Sequence, residues 1–192
     1  MAVGGVAHGV TGARSAIVGR VTLPYPVLWP MPTRWADNDH YGHVNNVTYY
    51  SYFDTAVNGW LMQATGTDIR ELPAIGVVAQ TSCTFTGSVS FPDQLRVGLR
   101  ISRLGRSSIT YDLGLYKVIG GEVTGGEVTG GGTAGTGRGA DTVVSAAGEN
   151  GAERLELSAT GTFVHVYVDA ETRRPVEIPE VVRAAAAAIV IR

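Results

Sequence analysis

Residues 37–46 read DNDHYGHVNN and run straight into the apolar stretch VTYYSYFDTAVNGWL. A carboxylate can act on a carbonyl carbon as general base on water or as nucleophile. A helix start offers free N–H groups and the positive end of the helix dipole, the partners an oxyanion needs. Asp39 lies seven residues before Asn46, in the loop that approaches such a start, so carboxylate and donors could face one substrate atom. Gly42 would let backbone come close to a ligand. Asp37 and Asp39 also fit an Asx pair that merely opens a turn, the reading taken for Asp37. His40 and His43 with the two aspartates make a weak metal set. Their spacing is ordinary for a turn and no distant ligand accompanies them, so no metal is expected.

The elements that must hold this run follow from periodicity. From Val47 the apolar positions Tyr50, Phe53, Val57, Trp60, Leu61 and Ala64 fall on one face of a helix, which Gly66 ends. Tyr50, Phe53 and Trp60 are read as core, since they keep the helix's own period. Ahead of the loop, RVTLPYPVLWPMPTRWAD predicts an irregular strand, best formed at 31–36 and confined by its prolines to an edge. After the helix, GVVAQTSCTF, QLRVGLRISRL, SSITYDLGLYKV and RLELSATGTFVHVYVD alternate with period two. One strand, one long helix and four strands predict an α+β domain whose helix covers one face of an antiparallel sheet.

The 192 residues carry 15 basic and 17 acidic side chains, for a formal charge of −2. With no basic block, a general nucleic-acid partner is not expected. Lys117 is the sole lysine, so other cationic roles fall to arginine. Cys83 is the sole cysteine, which excludes an internal disulfide and fits a cytoplasmic location. Neither a signal peptide nor a membrane span is predicted. Residues 1–20 read as a mobile leader, 21–183 as one domain and 184–192 as a C-terminal tail. Within the domain, 120–151 reads as a flexible hairpin insert, because GGEVTGGEVTGGGTAGTGRG holds ten glycines and an exact GGEVT duplication.

The run RWADNDHYGHVNNVTYYSYFDTA resembles the hotdog-fold acyl-CoA thioesterases of the 4-hydroxybenzoyl-CoA thioesterase type, and element order is similar over 25–183. The resemblance implies a five-stranded antiparallel sheet wrapped around one long central helix. It implies hydrolysis of acyl-CoA without a cofactor, in a homodimer or dimer-based tetramer whose site lies between subunits. Asp39 matches the catalytic carboxylate, and the Asn46 N–H the donor that polarises the thioester carbonyl. His43 and Asn45 would orient the loop, and Tyr49 would shape the acyl pocket. Arg106, Ser107 and Ser108 match the region beside pantetheine and the CoA phosphates, although Gly-Arg-Ser also suits a plain hairpin turn. Arg173 and Arg174 could serve the phosphates or close a strand end. Two alternatives remain: an acyl-carrier-protein thioesterase, and a non-catalytic acyl-CoA or lipid-binding module.

Overall fold

The computed structural model describes residues 23–120, 143–148 and 151–191. The expected leader and most of the expected insert lie outside them. Val27–Pro32 form β1, an edge strand, where Pro30 and Pro32 can sit because one side needs no N–H donor. Pairing stops at Pro32 rather than running through 31–36, since Arg34 binds the Asp37 carboxylate and folds Trp35–Asp37 into a 3-10 turn. Asn46–Thr65 form α1, ended by Gly66 in the left-handed conformation that glycine takes without a steric penalty.

The remaining elements are β2 (Ala74–Phe85), β3 (Gln94–Leu104), β4 (Ser108–Gly120), β5 (Val143–Gly148), β6 (Gly151–Asp169) and α2 (Glu180–Ala187). Five strands pair antiparallel, as expected, and their order is β1-β3-β4-β6-β2. The short β5 adds a sixth, beside the first part of β6, within the stretch expected to be a flexible insert. β2 therefore runs along an edge, with Val77, Val78 and Phe85 exposed.

Alternation sorts the strands into two faces. Leu95, Val97, Leu99 and Ile101 of β3, with Ile109, Tyr111, Leu113 and Leu115 of β4, are fully buried against the helices. Facing them, α1 buries Tyr49, Tyr52, Phe53, Ala56, Val57, Trp60 and Leu61, while Ala64 is exposed near the helix end. At about 30 Å, the 20 residues of α1 cross this face. The helix does not cover the sheet alone. Within the stretch read as a tail, 184–187 instead complete α2, and Val190 makes a parallel bridge to Ile101. The reason is burial: Val182, Ala186 and Ile189 sit in the main core.

Candidate active site

Asp37 is the foundation of the loop ahead of α1. Only 2% exposed, its carboxylate accepts from the Arg34 N–H (2.7 Å) and guanidinium (2.8 Å) and from the Tyr52 hydroxyl (2.7 Å), while its carbonyl accepts from Asn45 N (2.8 Å). Burial pushes its pKa up, but the hydrogen bonds from Arg34 and Tyr52 outweigh burial and hold it below the usual carboxylate value. Tyr52 is raised in turn, first by burial and then by Asp37. One buried anion thus ties the 3-10 turn, the helix cap and the second turn of α1 together.

On that base Asp39 stands at the surface in a tight loop. Its N–H donates to the His43 carbonyl (2.8 Å), and its carbonyl accepts from Gly42 N, where φ is +82°. Oδ1 accepts from the Tyr41 N–H at 2.8 Å and, at 3.4 Å, from His43 N. Oδ2 has no partner among the described residues, so one oxygen is pinned and the other is unpaired. The loop is fastened from the side: Asn38 Oδ1 accepts from Phe91 N (3.0 Å), and Val44 N donates to the Val89 carbonyl (2.8 Å). Trp35 and Tyr41 stand 80% and 86% exposed beside it, Trp35 edge-on to Phe91.

At the helix start the Asn45 side chain caps α1 by accepting from Val47 N (3.1 Å). Thr48 N reaches the Asn45 carbonyl (2.9 Å). The Asn46 N–H is left without a partner among the described residues, the orphan donor an oxyanion requires. Tyr49 is buried and packs edge-on to Phe85 at 4.9 Å, so the last residue of β2 adjoins this helix end. The sequence reading missed Arg34, Tyr52, Asn38 and Phe91. The Arg-x-x-Asp spacing was visible, but the contacts from Phe91 and Val89 cross more than forty residues and left no local signal.

Arg106, Ser107 and Ser108 are not brought to this loop. They follow β3 at its far end, and the ten steps from Gln94 to Leu104 span about 34 Å. Arg106 is exposed, with a loose 3.4 Å contact to Glu177. The Ser107 carbonyl accepts from Tyr167 N, while the Gly105 and Arg106 carbonyls accept from Arg183 Nη2, so the turn also has a structural anchor. Arg173 and Arg174 lie at that same end, in an exposed turn closed by Asp169. Among the described residues no group of His, Cys, Asp and Glu could hold a metal ion, and no helix is long and apolar enough to cross a membrane.

Comparison with known proteins adds a lineage to this geometry. The family model described as "Thioesterase-like superfamily" matches residues 33–186. Among solved structures, the PA5185 protein of Pseudomonas aeruginosa strain PAO1 is 39% identical, with a TM-score of 0.65, over 86% of this chain and 92% of that one. The PA2801 protein of Pseudomonas aeruginosa is 25% identical, with a TM-score of 0.59, over 82% and 95%. A 1,4-dihydroxy-2-naphthoyl-CoA thioesterase from Synechocystis shares the fold at 14% identity and TM-score 0.60, over 83% and 94%. No curated protein sequence matches the chain.

Proposed function

Because the chain belongs to the thioesterase-like superfamily and has its hotdog fold, we propose that it hydrolyses an acyl-CoA to a carboxylic acid and CoA. The observation that carries this reading is the free Asp39 oxygen in a loop that folds back to the unpartnered Asn46 N–H. The Asn46 N–H polarises the thioester carbonyl and takes the charge that develops on its oxygen. Asp39 Oδ2 removes a proton from water as the water oxygen attacks the carbonyl carbon. The C–S bond then breaks, and the departing CoA sulfur takes up that proton. In the nucleophilic variant Oδ2 itself attacks, and water hydrolyses the resulting anhydride. His43 and Asn45 hold the loop and the cap, and no metal or cofactor takes part.

The unit of activity is a dimer. Two protomers joined antiparallel along β2 cover each other's exposed edge. The same two-fold sets the Phe85 end of one β2, beside its own helix start, against the Ala74 end of the other. That second end belongs to the side of the sheet that carries Arg106, Ser107 and Ser108. A substrate with its carbonyl at Asp39 therefore meets the partner's Arg106 with its phosphates. A thiol-release assay across aliphatic and aromatic acyl-CoAs tests the reading. Turnover by wild type that Asp39→Asn abolishes supports it, and an Asp39→Asn variant as fast as wild type would sink it.

A further inference from the structure

Arg183 of α2 differs from the other arginines whose side chains make hydrogen bonds. Among the described residues Arg34, Arg70, Arg96, Arg100 and Arg106 each pair with a carboxylate, whereas the partners of Arg183 are carbonyls alone. Its Nη2 donates to the Gly105 carbonyl at 2.8 Å and to the Arg106 carbonyl at 2.9 Å, both in the turn between β3 and β4. Arg183 is held in reach because its helix is docked around it: Val182 is 1% exposed and Ala186 is fully buried in the main core. The Ile178 N–H, just ahead of the same helix, adds a third bond, to the Arg106 carbonyl at 3.0 Å.

These three bonds are not needed to make the turn. The Gly105 N–H donates to the Ser108 carbonyl at 2.8 Å and already closes the hairpin, and glycine and serine are ordinary turn residues. What the bonds fix is how the turn stands against α2. Arg106 leaves it with a side chain 82% exposed and one loose contact, 3.4 Å to Glu177, itself 70% exposed. A pair of this kind contributes little and does not hold a long side chain in one direction. The direction is therefore set at the root, where the Arg106 carbonyl accepts from both Ile178 N and Arg183 Nη2. A guanidinium on a fixed root loses less freedom when it binds an anion than one on a loose turn.

We propose that Arg183 is a positioning residue for the CoA phosphates: by gripping the Gly105 and Arg106 carbonyls it holds the turn so that Arg106 meets the phosphates of the substrate. The inference rests on the thioesterase reading and its contact between Arg106 and phosphate. Arg183→Met keeps the apolar stem and removes the donors. It should raise KM for acyl-CoA by about twofold to threefold with kcat unchanged, as a surface contact made equally in ground and transition states. Calorimetry with free CoA should show the same loss of affinity. An acyl-pantetheine, which carries no phosphate, should not respond. Arg183→Lys still offers a donor to the carbonyls and should bring KM most of the way back. In an Arg106→Ala background Arg183→Met should add nothing, because its effect passes through Arg106. A purely structural Arg183 would instead lower the melting temperature, affect both thioesters alike and be indifferent to the state of Arg106. Wild-type CoA affinity in Arg183→Met, an equal loss with acyl-pantetheine, or losses that add in the double variant would each overturn the proposal. Arg183→Ala repeats the test should Arg183→Met not fold. Weaker CoA binding in Arg106→Ala beside wild-type binding in Arg183→Met removes the positioning role alone, whereas wild-type binding in Arg106→Ala removes the phosphate contact and the proposal with it. Calorimetry reads these outcomes without hydrolysis, so absent turnover with the expected order of affinities would remove the reaction and leave the positioning role standing.

Discussion

Two aspartates two positions apart have opposite surroundings, and their substitutions should separate cleanly. Asp39→Asn should leave the melting temperature unchanged and lower kcat by about 10² or more, the scale of a lost acid–base group, with little change in substrate binding. Asp37→Asn should do the reverse. It removes the charge and one of the two buried acceptor oxygens that Arg34 and Tyr52 share, and sets an NH2 donor against theirs, which costs about 1–3 kcal/mol of stability. The sign of the pH dependence follows from the lowered pKa of Asp37. Its stabilisation is fully present above the unfolded carboxylate value of 3.8 and is lost as pH falls through the lower folded value. Melting curves of wild type and Asp37→Asn should therefore differ at pH 7 and converge in strong acid. The sequence did favour a structural role for Asp37, as a loop former. It could not show that the anion is buried, because the partner Tyr52 lies fifteen residues on and reaches it only once α1 is formed.

At the level of elements, legibility followed periodicity. β3 was read at its observed limits, and α1 to within one residue, because an amphipathic period ran uninterrupted to a glycine stop. β5 was missed, since VVSAAG has two strong strand formers in a glycine-rich neighbourhood and its pairing with β6 is not written in either segment. α2 was missed because EVVRAAAA carries few large apolar residues. The signal lay elsewhere, in Pro179 and Glu180 ahead of a run of good helix formers. The contact between α1 and the sheet makes its own prediction at Gly161 of β6, where a Cβ would stand 2.6 Å from the Phe53 ring and 3.0 Å from the Ser82 carbonyl. Gly161→Ala should lower stability by about 1–3 kcal/mol through overpacking, a loss that a denaturant midpoint at unchanged slope would report. A midpoint equal to wild type would mean that α1 can lift off the sheet without penalty.

For the whole molecule the decisive question is whether the site needs two chains. Val78→Lys, which puts a charge on the exposed edge of β2, should shift sedimentation from dimer to monomer and abolish turnover together. Arg106→Ala should raise KM by about threefold with kcat nearly unchanged, as a surface contact made equally in ground and transition states. Mixed dimers sharpen this. Pairing an Asp39→Asn protomer with an Arg106→Ala protomer rebuilds one intact site if Arg106 serves its partner, and rebuilds none if it serves its own chain. The kinetics of the mixture therefore distinguish the two arrangements. The bridge of Val190 to Ile101, with Ile101 donating to the Ile189 carbonyl and accepting from Ile191, carries a consequence for synthesis. A strand made halfway along the chain keeps its end unsealed until nearly ninety further residues have been added. On the ribosome the growing protein must therefore hold an unfinished apolar face, and chains cut short before residue 180 should be the ones that chaperones and proteases capture.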